Sequence, residues 1–171
     1  MKVLFTCLTF LFTLNVFSQT IVVVKDADLG ADTVSWTKDN VYHLDGYVIL
    51  ESGGLLNIEA GTVIKGLATP STGDISSALI IARGAKINAR GTADQPIIFT
   101  ADTGPFNVGG IPSTEGRAEY GGTNNDDNSG VLKYVSIRHG GSKLEANNEI
   151  NGLTLAGVGR GTEVDFIEVY A

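Results

Sequence analysis

A short phrase recurs along this chain: an apolar strand, a glycine, a second apolar stretch and then Gly-Thr. It runs from Val48 to Thr62 and from Leu79 to Thr92, and a degenerate copy runs from Leu153 to Thr162. A second phrase, apolar-x-x-apolar-x-apolar, starts at Leu132 and again at Val164. Strand-like units that recur after about 31 residues predict a solenoid, whose units bury their apolar faces by stacking on their neighbours.

The strands are short, and parallel pairing suits them best. Runs of Val, Ile and Leu alternate with Gly, Asn and Asp, and glycine makes up 22 of the 171 residues. No stretch after residue 18 has a convincing helical period of about 3.6 residues. Hairpins would need two-residue turns between neighbouring strands, whereas equivalent strands here recur a full period apart. The sequence therefore predicts an all-β parallel β-helix of roughly four turns, here called rungs, incomplete at the C-terminus.

The corners of this predicted coil carry two further patterns. Three threonines each follow a corner glycine and are expected to stack in register: Thr62, Thr92 and Thr162. Basic residues at matching places are expected to form one outward line, with members two rungs apart separated by about 10 Å. The members of this predicted line are Arg83, Lys86, Arg90, Arg138 and Arg160.

The first eighteen residues are typical of a signal peptide. Lys2 gives a positive start, residues 3–17 are almost wholly apolar, and small or tolerated side chains precede a cleavage site before Gln19. A membrane anchor is the alternative, but an apolar run of about fifteen residues is short for a span of about 20. We therefore predict that residues 1–18 are a signal peptide and that the protein is secreted or displayed at the cell surface.

The exported part divides into an entry segment and the rungs. Residues 19–45 are expected to cap the first rung, because an uncapped solenoid end exposes both core and backbone groups. Trp36 and Tyr42 would cover the core there. Residues 46–171 are expected to form the rungs themselves.

The third rung and the last rung are both predicted to be imperfect. Where the third rung needs a strand, residues 106–115 offer only a weak one that Pro112 stops, so a polar excursion is expected at about 105–130. The last phrase ends at Val169 without a polar cap. Because an open edge strand is a template for pairing, we expect self-association through this open C-terminal rung.

Composition narrows the chemistry. The only Cys and the only Met lie within the first eighteen residues, so the exported chain has no thiol for a disulfide, a nucleophile or a zinc site. The exported chain, which lacks Lys2, contains eleven basic and nineteen acidic residues and so has a net charge near −8. An acidic surface of this kind repels nucleic acid and anionic lipid. We therefore expect neither nucleic acid nor a membrane span among the partners.

Five longer phrases carry a family resemblance. They are GYVILESGGLLNIEAGTVIKG at 46–66, SALIIARGAKINARGTADQPIIFTAD at 77–102, GIPSTEGRAEYGG at 110–122, DDNSGVLKYVSIRHGG at 126–141 and EINGLTLAGVGRGTEVDFIEVYA at 149–171. The chain resembles the right-handed parallel β-helix repeat proteins exported by Bacteroidetes, which often carry a type IX secretion sorting tail. The resemblance covers nearly the whole exported chain and implies a right-handed coil at the cell surface.

The chain departs from that family in two places. The family carries a Trp-Gly-Gly-apolar strand between the equivalents of Ala101 and Ile111, and this strand is missing here. The family also continues past the equivalent of Ala171. These departures predict a truncated form with an internal deletion.

One loop holds a dense set of hard oxygen ligands. Asp126, Asp127 and Asn128 offer carboxylate and amide oxygens, which suit Ca²⁺ better than a softer metal. The run lacks the spacing of a calcium loop with a distal bidentate Glu, and Asn and Asp are also ordinary turn formers. A calcium site and a plain turn both stay open.

No catalytic constellation is evident. His139 ends a strand before Gly140 and His43 lies in the entry segment, with no Gly-x-Ser-x-Gly phrase to accompany them. A glycoside hydrolase needs two carboxylates about 5 to 9.5 Å apart, and nothing in the sequence places such a pair together. The candidate carboxylates are Glu51, Glu59, Asp94 and Asp102.

The sequence thus predicts a secreted or cell-surface structural or binding module without intrinsic catalysis, with a glycan or a surface protein as its partner. The alternative is a carbohydrate-active enzyme, of the polysaccharide lyase or glycoside hydrolase type, on the same scaffold. The two hypotheses differ in whether basic and acidic side chains converge in a groove on one sheet face.

Overall fold

The computed structural model describes residues 18–102, 116–118, 121–140, 143–145, 148–149 and 151–170. The predicted signal peptide, apart from Ser18, lies outside the described residues, as does the weak strand expected at 106–115. Within the described ranges the chain forms thirteen strands and two short 3₁₀ turns, at Asp26–Asp28 and Gly116–Ala118. None of the described helical turns is long and apolar enough to cross a bilayer.

The strands follow in chain order: β1 (Thr20–Val24), β2 (Thr33–Trp36), β3 (Asn40–Leu44), β4 (Tyr47–Leu50), β5 (Leu55–Ile58), β6 (Val63–Gly66), β7 (Ala78–Ile81), β8 (Lys86–Arg90), β9 (Ile97–Ala101), β10 (Gly130–Arg138), β11 (Lys143–Glu145), β12 (Asn148–Glu149) and β13 (Glu163–Tyr170).

Parallel pairing arranges these strands on three faces of a coil. Face 1 is β2, β5, β8 and the first halves of β10 and β13. Face 2 is β1, β3, β6, β9 and the second halves of β10 and β13. Face 3 is β4 and β7. Only β11 and β12 pair antiparallel within the described residues. The chain is a right-handed parallel β-helix, which confirms the predicted fold class.

The strand register confirms the period seen in the sequence for some strand pairs and revises it for others. Val48 pairs with Leu79 and Leu132 with Val164, as the repeated phrases predict. In the first rung, however, Thr33 pairs with Leu55 after only 22 residues. The corners therefore differ in length from rung to rung, while the strands that stack between them keep their register.

Inward side chains build one continuous apolar core. Leu56, Ile64, Ile97 and Val135 are fully buried, and each follows the alternation of a strand with one face turned inward. Burying a side chain of this size contributes about 1.5–3 kcal/mol relative to leaving it exposed. Each rung depends on its neighbours for this burial, which is why the fold needs several rungs.

The entry segment is itself made of strands. β1 pairs with β3, and β2 pairs with β5, so residues 19–45 continue the sheets to the N-terminal end of the coil. Trp36 is buried and its ring stacks on that of Tyr42, with centroids 4.9 Å apart. These two rings close the core at that end.

A buried carboxylate fastens the loop between β6 and β7 to the corner that follows β3. Asp45 is 3% exposed, and its two oxygens accept hydrogen bonds from the backbone N–H and the hydroxyl of Ser71, each at 2.5 Å. Lys25 Nζ lies 3.4 Å from the same carboxylate. The amide of Tyr47 donates to Asp74 of the same loop at 3.1 Å.

The predicted threonine stack is wrong. The residue after Thr62, Val63, pairs with Ile98, so Thr62 stands beside Ile97 and not beside Thr92. Thr162 precedes β13 and accepts a hydrogen bond from the Ser129 amide at 2.9 Å, at a different corner. The three Gly-Thr pairs look equivalent in sequence but lie at different corners. Thr62 and Thr92 follow strands of face 1, whereas Thr162 precedes one.

Candidate functional site

The outer surface of face 2 carries two rows of side chains along the axis of the coil. One row is aliphatic, and successive strand pairs align Ile21, Val41, Val63 and Ile98. The parallel row is polar, and its members in axial order are His43, Lys65, Thr100 and Arg138. Neighbouring members of a row lie one strand spacing, about 4.8 Å, apart. Face 2 thus presents an aliphatic row beside a row of cations and hydrogen-bonding groups.

The two cations of the polar row differ in their partners from Arg90 and Lys133 of face 1. On face 1, Arg90 Nη2 lies 3.1 Å from Glu163, and Lys133 Nζ lies 3.2 Å from Asp165. In the part of the chain that the structure describes, Lys65 and Arg138 form no ion pair with a carboxylate. Arg138 instead donates from Nε to Ser136 Oγ at 3.0 Å. Lys65 and Arg138 thus lack the direct carboxylate contacts that Arg90 and Lys133 make on face 1.

Arg138 also has an aromatic neighbour. Its guanidinium lies 5.6 Å from the centroid of the Tyr170 ring, within the range of a cation–π contact. Ser136, which receives the Arg138 hydrogen bond, donates in turn to Glu168 Oε2 at 2.8 Å. These contacts fix the position of the Arg138 guanidinium beside Ser136 and Tyr170.

Both histidines lie on this side of the molecule. Burial and the nearby Lys65 ammonium hold the pKa of His43 below its usual range, while Asp102 opposes the shift. His139 Nδ1 lies 3.0 Å from Thr100 Oγ1, and its backbone N–H donates to the Tyr170 carbonyl at 2.9 Å. Sequence reasoning missed this grouping, because strand register and not closeness in the chain brings the two histidines to one face.

The predicted line of basic residues is wrong. Lys86 and Arg90 lie on β8 of face 1, whereas Arg138 lies on face 2. Arg160 lies in the turn before β13, where its Nε is 2.7 Å from Asp126. The line fails for the same reason as the threonine stack, because similar Gly-Thr phrases occur at different corners.

The three predicted calcium ligands form a turn beside β13. Asp126 pairs with Arg160, Asp127 Oδ2 accepts from the Ser129 hydroxyl at 3.1 Å, and Asn128 Oδ1 accepts from the Gly130 amide at 2.8 Å. Among the described residues, no three His, Cys, Asp or Glu side chains are grouped to hold a metal ion. The calcium site stays a prediction, and the turn geometry accounts for each side chain.

An open groove of about 580 Å³ lies at the corner between faces 1 and 2. Two carboxylates line it, those of Asp39 and Asp94, together with Gln95 and Ile98. The ammonium of Lys38 lines it too and binds Glu59. Of the carboxylates singled out in the sequence, Glu51 accepts from Arg117 at 3.2 Å, on the far side at face 3.

The comparisons with known proteins agree with this architecture. The sequence model of the family described as the pectate-lyase-like beta helix domain matches residues 29–171. No curated protein and no solved structure matches the chain. The match begins within the first turn of the coil and extends over all the later rungs, including β10 and β13 of the candidate surface. The chain belongs to the family of the pectate-lyase-like beta helix domain.

Proposed function

We propose that this protein is an exported, non-catalytic binding module that holds an extended acidic glycan along face 2. The observation that carries the proposal is the polar row, in which Lys65 and Arg138 have no carboxylate partner among the described residues. A protein with net charge −7 in which two cations of one face have no direct ion pair among the described residues favours an anionic ligand there.

The shape of face 2 supports an extended ligand over a compact one. A polar row with members about 4.8 Å apart suits a polymer with a regular repeat, and the adjoining aliphatic row can pack against the apolar faces of sugar rings. The backbone beneath both rows is fixed by strand pairing on each side, so little conformational entropy is lost when a ligand binds.

Binding to a model acidic polysaccharide tests the proposal. Polygalacturonate is titrated into the purified protein by calorimetry, with a neutral glucan as the comparison polymer. Lys65→Gln with Arg138→Gln is expected to weaken polygalacturonate binding by about tenfold or more. Lys86→Gln with Arg160→Gln removes the same charge away from face 2 and is expected to leave binding nearly unchanged.

Two outcomes would contradict this function. One is equal loss of binding in both double variants, which would indicate a diffuse charge effect. The other is failure to bind any acidic polymer at low salt, where screening is weakest and attraction to the polar row is strongest.

The cell-surface location is part of the same proposal. The resemblance to exported β-helix repeat proteins of Bacteroidetes, with type IX secretion, supports it together with the apolar first eighteen residues. Sequencing the N-terminus of the protein recovered after export is expected to begin at Gln19. An uncleaved N-terminus on the recovered protein would argue against export through a signal peptide.

A carbohydrate-active enzyme is the second candidate, and the groove favours it. Asp39 and Asp94 both line this groove, and paired carboxylates are the machinery of glycoside hydrolysis. If the protein cleaves polysaccharide, Asp39→Asn with Asp94→Asn should abolish the release of reducing ends. Asp32→Asn, an exposed carboxylate outside the groove, serves as the control. Cleavage that yields unsaturated products would instead indicate a lyase.

A further inference from the structure

His43 lies in the polar row of face 2, directly beside Lys65. β3 pairs with β6 in a register that aligns these two residues, which sets their Cα atoms about 4.8 Å apart. On its other side His43 is aligned with Val23 of β1, which carries no charge. The His43 side chain is half-buried. A proton on its ring therefore adds a third cation to the row that contains Lys65 and Arg138.

The charged groups around His43 act in opposite directions. Burial and the Lys65 ammonium of β6 disfavour a proton on the ring and lower the pKa of His43, whereas the Asp102 carboxylate after β9 favours the proton. Lys25 and Asp45, which follow β1 and β3, lie 3.4 Å apart and offset each other's charge. The imidazole of His43 is therefore neutral at pH 7 and gains its proton only as pH falls below the usual histidine pKa of 6.5.

Binding of an anionic ligand changes this balance. A ligand carboxylate beside Lys65 offsets the repulsion between the ammonium and a protonated His43, because a negative charge near an imidazole favours its charged form. Ligand binding thus raises the affinity of His43 for a proton. By thermodynamic linkage the proton raises the affinity of the site for the ligand by the same factor.

On the basis of the proposed function, we propose that protonation of His43 tightens the binding of acidic glycan to face 2. The site then holds its ligand more strongly in mildly acidic surroundings than at neutral pH. The geometric basis is the pairing of β3 with β6, which places a ring that titrates in this range within the polar row itself.

The composition of the chain provides a matched control. Carboxyl groups titrate at about pH 4 and lysine at about pH 10.4, so histidine is the side chain whose charge changes between about pH 7.5 and about pH 5. The sequence has two histidines, His43 and His139. His139 follows β10 and lies outside the polar row, with its Nδ1 3.0 Å from Thr100 Oγ1. The same substitution at the two positions therefore separates the row from its surroundings.

Calorimetric titration with polygalacturonate at about pH 7.5 and about pH 5 tests the proposal. The parent protein is expected to bind about fivefold more tightly at the lower pH. His43→Gln should lose most of this gain, whereas His139→Gln should keep it. Equal binding by the parent at both pH values, or equal loss of the gain in the two variants, would overturn the pH effect alone. Absence of binding at both pH values would overturn the proposed function as well.

An NMR titration of the His43 ring gives a second readout with position 43 unaltered. The pKa of His43 is expected to rise when polygalacturonate is added, by the same factor by which binding tightens. The spectrum of His139→Gln, which keeps a single histidine, identifies the His43 signal. A pKa that polygalacturonate leaves unchanged would overturn the proposal. Because this measurement needs no change at His43, it decides the matter even where His43→Gln fails to fold.

Discussion

Tyr134 and Phe166 occupy the same corner of consecutive rungs, and their rings stack with centroids 4.5 Å apart and planes inclined by 2°. Both residues have positive φ, 49° and 51°, a conformation that residues other than glycine rarely adopt. Here β10 and β13 turn from face 1 to face 2 without interrupting the strand. The stacked pair stabilises a corner that earlier rungs form with a loop.

Replacing Phe166 separates the two contributions at this corner. Phe166→Ala is expected to lower the free energy of unfolding by about 1 kcal/mol, the usual size of an aromatic pair. Phe166→Gly loses the same ring but relieves the positive φ, which costs an L-residue about 1 kcal/mol. Urea unfolding should therefore find the glycine variant at least as stable as the alanine variant.

That order is the reverse of the usual one, because glycine within a strand is normally less stable than alanine by about 0.5–1 kcal/mol. Val158→Ala, an exposed apolar position outside the stack, is the matched control and should change stability little. A glycine variant clearly less stable than the alanine variant would argue against strain at this corner.

A pair of glycines tests how closely the rungs approach. A Cβ on Gly130 would lie 1.8 Å from the Ile87 carbonyl oxygen of the rung beneath, whereas a Cβ on Gly53 would meet nothing within 4 Å. Both have positive φ. Gly53→Ala is expected to lose about 1 kcal/mol from its backbone conformation alone, and Gly130→Ala about 2 kcal/mol more, because β8 and β10 must move apart. Equal losses in urea unfolding would show that the rungs have room to adjust.

The strands could be predicted from sequence because their periodicity is local. Val48 and Leu79 align as the repeat predicts, since the same apolar alternation must bury the same face in each rung. The corners could not be predicted in this way. Between β8 and β9 the chain inserts a turn in which Gln95 donates to Thr92, whereas β10 reaches the same place through Tyr134 alone. When the corners of a repeat vary in length, its strands stay in register although the number of residues between equivalent strands changes from rung to rung.

The candidate surface escaped sequence analysis for the same reason. His43, Lys65 and Arg138 are separated by unequal intervals, so no fixed period connects them. The three residues share only a local pattern within their own strands. Each lies two positions after an outward residue of a face 2 strand and directly after an inward apolar residue. Only the strand register turns that local pattern into a row.

The contacts of Asp45 with Ser71 and Lys25, here called the Asp45 latch, indicate how the stability of the protein responds to acid. The hydroxyl of Ser71, its backbone amide and Lys25 all favour the ionised carboxyl and hold the pKa of Asp45 below its ordinary value of 3.8, although burial opposes them. The folded state thus binds this proton less tightly than the unfolded chain does. The stabilisation is complete above about pH 3.8 and is lost as pH falls through the lower, folded-state pKa.

The variant Asp45→Asn tests the latch. At neutral pH it is expected to lower the free energy of unfolding by about 2 kcal/mol, the usual contribution of a hydrogen bond to a charged group. The difference from the parent should shrink as pH falls, because the parent loses the same interaction by protonation. Asp32→Asn, at an exposed position, is the control and should change the free energy of unfolding little at neutral pH. A gap that stays constant down to low pH would assign the stabilisation to packing instead.

The calcium prediction can be judged from the turn at 124–128. The Asp126 carboxylate already pairs with Arg160 at 2.7 Å, and both side chains are largely exposed. A calcium ion would have to displace that contact and the hydrogen bonds to Asp127 and Asn128 as well. Any site here should therefore be weak, with a dissociation constant on the order of 10⁻³ M, at the level of the weakest extracellular modules.

Calorimetric titration with Ca²⁺ should accordingly give at most one weak site, and Asp126→Ala with Asp127→Ala should remove it. Asp28→Ala with Asp32→Ala deletes the same charge at the opposite end of the coil and should leave the titration unchanged. Arg160→Ala frees the Asp126 carboxylate, so it should strengthen binding if the turn is the site. The described rungs have apolar interiors that offer few oxygen ligands, which is why the turn is the expected site. Calcium binding that survives the loss of Asp126 and Asp127 would therefore place the ion elsewhere.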